Sequence, residues 1–262
     1  MSMNASWGVL LAPQAAMAAK ALAQTSGWLG DSEQQRLACL NSEARQSLFL
    51  GCRYALRLLL AEDEKQVDAW TLGSAAECSP WVERYANARG PTLPQLSLSH
   101  SGAWLACAKA PVAVGVDLEV QSPYRTRNIQ TLAELVCAPA EQNWLRSQAE
   151  ELQQHCFVQL WCLKEAYFKC LGTGVDLEKI SHWTWRPSTS SSLKNPVAYA
   201  RLWEATTETQ DALHLAVCAL QDLPELMPWQ TDCGGALDWR SVTSWLLYES
   251  ENVVRCGSSD LI

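Results

Sequence analysis

The chain has 262 residues, 48% of them hydrophobic, with 20 Lys and Arg against 28 Asp and Glu for a net charge of −8. That length buries a sizeable core as one large domain or two modest ones. The acidic balance disfavours nonspecific attraction to nucleic acid or to anionic membranes, so an anionic substrate must be met by a local basic cluster. The 11 cysteines form no C-x-x-C pair and sit mostly in apolar stretches, among them Cys52, Cys107, Cys156 and Cys218. They read as reduced thiols of a cytoplasmic protein, not as a disulfide framework or a zinc site. No basic residue precedes Lys20, and no run approaches the ~20 apolar residues of a membrane span, so neither a secretory signal nor an anchor is expected.

Apolar residues recur at helical spacing from Asp31 to Leu60, which predicts a helix there with Arg53 and Arg57 projecting from one side. Gly90, Pro91 and Pro94 make 87–94 a loop. Short strands are expected at Gln95 to Ser99 and Trp104 to Lys109, joined through Gly102, and a third from Val112 to Val120. In that third strand Val112, Val114, Val116 and Leu118 take one face, and Gly115, Asp117 and Glu119 the other. The polar stretch 122–128 around Pro123, with Arg125 and Arg127, reads as an interdomain connection. A helix begins at Pro139 and runs to about Arg146, and a longer one from about Glu151 to Leu171 is stopped by Gly172 and Gly174. Strands are expected at His182 to Arg186 and His214 to Leu220, with a Ser/Thr-rich loop over 187–195. The stretch from Trp239 to Leu247 is weakly amphipathic and carries no reading.

Three segments carry chemistry. Asp117 and Glu119, two apart on a strand, send both carboxylates from one face, as a hard cation with oxygen ligands requires. Glu165 and Lys169, four apart on a helix, offer a third carboxylate and an ammonium together. Ser99, His100 and Gly102 end a strand with groups able to donate to a phosphate. Each also has a bland reading: a solvated strand face, an ordinary helical ion pair, a structural turn. No G-x-S-x-G elbow accompanies the Ser-His pair, which argues against a serine hydrolase.

Taken together and in order, Leu96-Ser-Leu-Ser-His-Ser-Gly102, Val114-Gly-Val-Asp-Leu-Glu119 and Trp161-Cys-Leu-Lys-Glu-Ala-Tyr-Phe-Lys169 resemble the motif set of 4'-phosphopantetheinyl transferases of the surfactin-synthetase-activating type. The resemblance covers roughly Ser47 to Val175 and is faint in the first thirty and last forty residues. It departs at Arg89-Gly90-Pro91, where the family's Gly, basic residue, Pro order is permuted, and at Cys162, where a small hydroxyl residue is common.

The resemblance implies an α+β fold, a pseudo-dimer of two similar α+β halves. Residues 1–122 would form the N-terminal half, 123–225 the C-terminal half with the W-x-x-K-E helix, and 226–262 an extension. It implies transfer of the phosphopantetheine arm of coenzyme A to a serine of an apo acyl or peptidyl carrier protein, with magnesium held by Asp117, Glu119 and Glu165. It further implies Glu165 and Lys169 as catalytic residues, and Arg53, Arg89, Ser99, His100 and Lys169 as contacts of the coenzyme. Two other classes compete: another magnesium-dependent nucleotide or phosphoryl transferase, and a non-catalytic carrier-protein-binding module, which would be expected to have lost a carboxylate.

Overall fold

A computed structural model describes residues 6–25, 27–76, 78–85, 93–122, 128–190, 195–231 and 237–250. Strand β1 (Gly8–Pro13) and helix α1 (Gln14–Leu22) come first, followed by α2 (Asp31–Ala38), α3 (Glu43–Ala61), β2 (Trp70–Gly73) and β3 (Trp81–Tyr85). Next are β4 (Gln95–Ser101), β5 (Trp104–Ala110), β6 (Val114–Gln121), α4 (Ile129–Val136), α5 (Pro139–Arg146) and α6 (Glu150–Leu171). The described chain ends with β7 (Trp183–Pro187), β8 (Ala198–Thr206), β9 (Ala212–Ala219), β10 (Trp229–Gln230) and β11 (Asp238–Glu249).

The architecture is α+β. One sheet has the order β10-β1-β5-β4 and a second the order β6-β9-β8-β11-β7; β2 and β3 form a separate pair. Three apolar clusters order the layers. Leu10, Met17, Leu56 and Leu105 pack the first sheet against α1 and α3. Val9 and Ala108 meet Val116, Leu215 and Trp203 between the two sheets. Phe157, Leu160, Leu163, Ala200 and Leu247 pack the second sheet against α4, α5 and α6. The order is therefore helices, sheet, sheet, helices, with both inner faces apolar as two-layer burial requires.

The single helix expected from Asp31 to Leu60 is two helices. Ser42 breaks the run because its hydroxyl accepts the Arg45 N–H at 3.3 Å and caps α3, an alternative to continuing the helix. β6, on the N-terminal side of the boundary drawn after residue 122, is hydrogen-bonded to β9 as an edge strand of the second sheet. The stretch around Trp239 to Leu247 lies within β11, which stands between β8 and β7, while β10 pairs in parallel with β1. Of the connection expected over 122–128, residues 123–127 lie outside the described residues.

Where the two sheets come together, serine side chains bridge β4 to β6. Ser97 Oγ accepts the Val116 N–H at 2.9 Å, Ser101 Oγ accepts the Val120 N–H at 3.1 Å, and Ser99 Oγ donates to Asp117 Oδ1 at 2.8 Å. Strand alternation makes this possible, since 97, 99 and 101 share a face while Leu96 and Leu98 turn to the α3 side. Gly102, at φ +56°, takes the first place of the two-residue turn into β5, a position where a left-handed backbone suits glycine.

Candidate active site

Two elements build the acidic centre. β6 lies against α6 so closely that a Cβ on Gly115 would stand 1.8 Å from the Ala166 carbonyl oxygen, so only glycine lets helix and strand approach this far. The same alternation that buries Val114, Val116 and Leu118 between the sheets turns Asp117 and Glu119 toward α6. On α6, helical spacing aims Trp161, Glu165 and Lys169 back at them.

Lys169 Nζ lies 2.6 Å from Asp117 Oδ1 and donates to Ser99 Oγ at 2.8 Å, with Glu165 Oε2 at 3.7 Å. Trp161 Nε1 donates to Glu119 Oε1 at 3.1 Å, and Ser101 Oγ reaches Glu119 Oε2 at 3.4 Å. Asp117 is buried, and its Oδ2 receives no donor. Burial first, then the facing Asp117 carboxylate with Glu119 behind it, pushes Glu165 up to about 7 against the pull of Lys169. Burial works against the Lys169 charge, but Asp117 and Glu165 outweigh it and hold the ammonium above its ordinary value.

This donor set fits a hard cation. It offers carboxylate oxygens, one of them buried without a donor, and burial together with the crowding of the Asp117 and Glu119 charges raises the Glu165 pKa. A divalent ion would relieve that crowding, and Lys169 beside it would face any anion bound there.

The structure thus brings Ser99, Asp117, Glu119, Glu165 and Lys169 together. His100 is the neighbour of Ser99 but follows the opposite alternation, and its ring is exposed. Partial burial, and then the Lys169 ammonium, lower its pKa. Arg53, on α3, has a buried guanidinium 3.5 Å from Glu33 that donates to Ser74 Oγ at 2.9 Å and stands above the ring of Phe49. Arg57 pairs with both oxygens of the same Glu33. Arg89 lies outside the described residues.

Two roles were not legible beforehand. Trp161 orients Glu119, although tryptophan composition alone assigns it nothing; its place in the motif was the available signal. Lys164, from the same motif as Lys169, points away from the acidic centre. It is buried, pairs with Glu141 at 2.8 Å and donates to the Ile180 and Trp183 carbonyls at 3.0 and 2.8 Å. Cys162 is fully buried, its thiol 3.4 Å from the Asp117 carbonyl and 3.5 Å from that of His214, which makes it a packing residue beneath the site.

Residues 113–218 match the sequence profile of the 4'-phosphopantetheinyl transferase superfamily. The chain is 28% identical over 141 residues to a 4'-phosphopantetheinyl transferase of Bacillus subtilis, covering 53% of this chain and 61% of that protein. It is 34% identical over 87 residues to the 4'-phosphopantetheinyl transferase gsp of Aneurinibacillus migulanus, covering 33% and 35%. With the 4'-phosphopantetheinyl transferase HetI of Nostoc sp. it shares 38% over 86 residues, covering 32% and 35%. The resemblance read from the motifs is borne out, and the chain spans less than two thirds of the length of each of these relatives. Among the described residues no helix is long and apolar enough to cross a membrane.

Proposed function

From a chain whose central segment is similar to the 4'-phosphopantetheinyl transferase superfamily, we propose that this protein transfers the 4'-phosphopantetheine arm of coenzyme A to a serine of an apo acyl or peptidyl carrier protein. The observation that carries the reading is the juxtaposition of Asp117, Glu119 and Glu165 with Lys169, including a buried Asp117 oxygen that no donor reaches. Asp117, Glu119 and Glu165 would hold magnesium. When bound, the ion neutralises pyrophosphate charge and polarises its oxygens.

In the reaction the serine oxygen bonds to the β-phosphorus, the bond from that phosphorus to the bridging oxygen breaks, and adenosine 3',5'-bisphosphate leaves. Lys169 faces the pyrophosphate and meets the charge that grows on the leaving oxygen, the task that dominates phosphoryl transfer. Ser99, which already accepts a hydrogen bond from Lys169, holds that ammonium in place. Glu165, with a proton affinity drawn toward neutrality by its surroundings, takes the serine proton. His100, Arg53 and Arg89 contribute to holding the nucleotide phosphates. The described cysteines are all unpaired, which suits the cytoplasm. The layer order of helices, sheet, sheet, helices supports the companion proposal of two α+β halves, but β6 from before the boundary after residue 122 and β11 from beyond residue 225 are both strands of the second sheet, so the halves are not cut at 122/123 and the last stretch is built into the fold.

The test is the intact mass of a panel of apo carrier proteins after incubation with this protein, coenzyme A and magnesium, beside Glu165→Ala. A phosphopantetheine mass gain that disappears in the variant supports the reading. No gain on any carrier, with nucleotide bound but coenzyme A ignored, points instead to another nucleotide or phosphoryl transferase.

A further inference from the structure

A second cluster of metal-ligating side chains lies beneath the N-terminal part of α6. His155 from α6, Glu204 from β8 and His214 from β9 each offer a ligand atom, and these atoms lie within 4.8 Å of one another. His155 Nε2 is 2.7 Å from Glu204 Oε1, and His214 Nδ1 is 3.3 Å from the same oxygen. The two imidazole rings stand 4.7 Å apart at 60°. Gln159 Nε2, one turn along α6, donates to Glu204 Oε1 at 2.9 Å and lies 3.3 Å from His155 Nε2.

The decisive observation is His214. It is fully buried, yet neither ring nitrogen has a hydrogen-bond partner, and the 3.3 Å approach to Glu204 lacks hydrogen-bond alignment. A buried imidazole usually fixes its tautomer through a bond at one nitrogen. Here the nitrogens are buried beside a carboxylate and a second imidazole, whose other faces keep some exposure: the His155 side chain is 34% accessible and Glu204 16%. Two imidazoles and one carboxylate, with a position left toward solvent, are a donor set for a borderline metal and not for magnesium.

We propose that His155, Glu204 and His214 form a second metal site that takes zinc or a similar transition ion, distinct from the oxygen-lined centre at Asp117. The bound ion would tie α6 to the β8-β9 hairpin, with the Gln159 amide next to the carboxylate ligand as an orienting partner. The two sites are neighbours: His214 is directly opposite Glu119 in the β6-β9 register, and α6 covers both. The site needs nothing from the transfer reaction, so it stands or falls separately from it.

The experiment uses the full chain, stripped of metal by chelation and then held in excess magnesium, with cobalt(II) as the spectroscopic probe and zinc as competitor. One equivalent of cobalt should give visible ligand-field bands without a thiolate charge-transfer band, and zinc should abolish them and raise the thermal midpoint. His155→Gln and Glu204→Gln, both at partly accessible positions, should each weaken cobalt binding by about tenfold or more while the far-ultraviolet circular dichroism stays that of the parent. Glu165→Gln should leave the bands in place. The proposal is overturned by an absence of bands, by a thiolate band that puts the metal on cysteines, by bands that survive both site variants, or by bands lost in Glu165→Gln.

Discussion

Gly115 lies directly beneath Ala166, with room for a hydrogen where any other residue would place a carbon 1.8 Å from a carbonyl oxygen and 2.5 Å from the Cys170 nitrogen. Both of the atoms it would strike are helix backbone, which cannot swing aside as a side chain can. The contact sets the depth at which Asp117 and Glu119 meet Glu165 and Lys169.

Gly115→Ala should therefore cost about 3 kcal/mol or prevent folding altogether. Urea denaturation measures the loss. In whatever fraction folds, magnesium binding by calorimetry should be weakened as well, because the strand carrying two of the proposed ligands has been pushed off the helix carrying the third. Parent-like stability in Gly115→Ala would mean that β6 and α6 are not in this contact.

The two lysines of the W-x-x-K-E-A-x-x-K string should separate cleanly. Lys164→Met leaves Glu141 buried with its charge unpaired, although the Ala138 and Trp185 N–H groups still reach it, both at 2.8 Å. The expected destabilisation is about 3–5 kcal/mol in urea. Lys169→Met should cost far less stability, since its side chain is 27% accessible, but it should remove most transfer activity and weaken coenzyme A binding. Equal stability losses for the two variants would contradict the division of labour.

Glu165 makes the metal-free centre sensitive to pH. Its folded-state pKa of about 7 lies above its value in the unfolded chain. Its contribution to stability is thus fully present below the unfolded pKa and is lost as pH rises through about 7. Metal-free protein should lose stability between pH 5 and 8 more steeply than Glu165→Gln does, by chemical denaturation at each pH. Magnesium must displace that proton, so its affinity should fall by about tenfold per pH unit below the pKa and level off above it. Identical pH profiles for parent and Glu165→Gln would count against this.

Arg53 and Arg57 share Glu33 but not its geometry. Arg57 engages both carboxylate oxygens and donates to the Trp70 carbonyl at 3.1 Å, whereas Arg53 stands 3.5 Å off and leaves Nε and Nη1 without hydrogen-bond partners. Arg57→Met should cost about 3–5 kcal/mol, and Arg53→Met clearly less. If Arg53 also serves the 3'-phosphate of coenzyme A, Arg53→Met should weaken coenzyme A binding while leaving 3'-dephospho-coenzyme A unaffected. An equal loss for both ligands would confine Arg53 to a structural part.

Much of the acidic centre was legible before any coordinates. The two-residue period of β6 put Asp117 and Glu119 on one face, and the four-residue spacing of α6 put Glu165 beside Lys169, because these are properties of local backbone geometry. The Pro139 start of α5 and the Gly172 stop of α6 were equally local, the latter confirmed by φ +70°. β8 escaped notice because small residues, Ala198, Ala200 and Ala205, fill much of its buried surface and blunt the hydrophobic signal.

Interactions between distant segments were decided only by the tertiary structure. That Ser97, Ser99 and Ser101 stitch β4 to β6, that Lys164 is buried on Glu141, and that Arg53 serves Glu33 depend on partners 18 to 23 residues away in sequence. The meeting of His155, Glu204 and His214 depends on a helix crossing over a hairpin some fifty residues further on. Periodicity along one strand or helix reports which face a side chain takes, and the chain itself determined that much here. What waits on that face is set by how the layers stack, which no local spacing encodes.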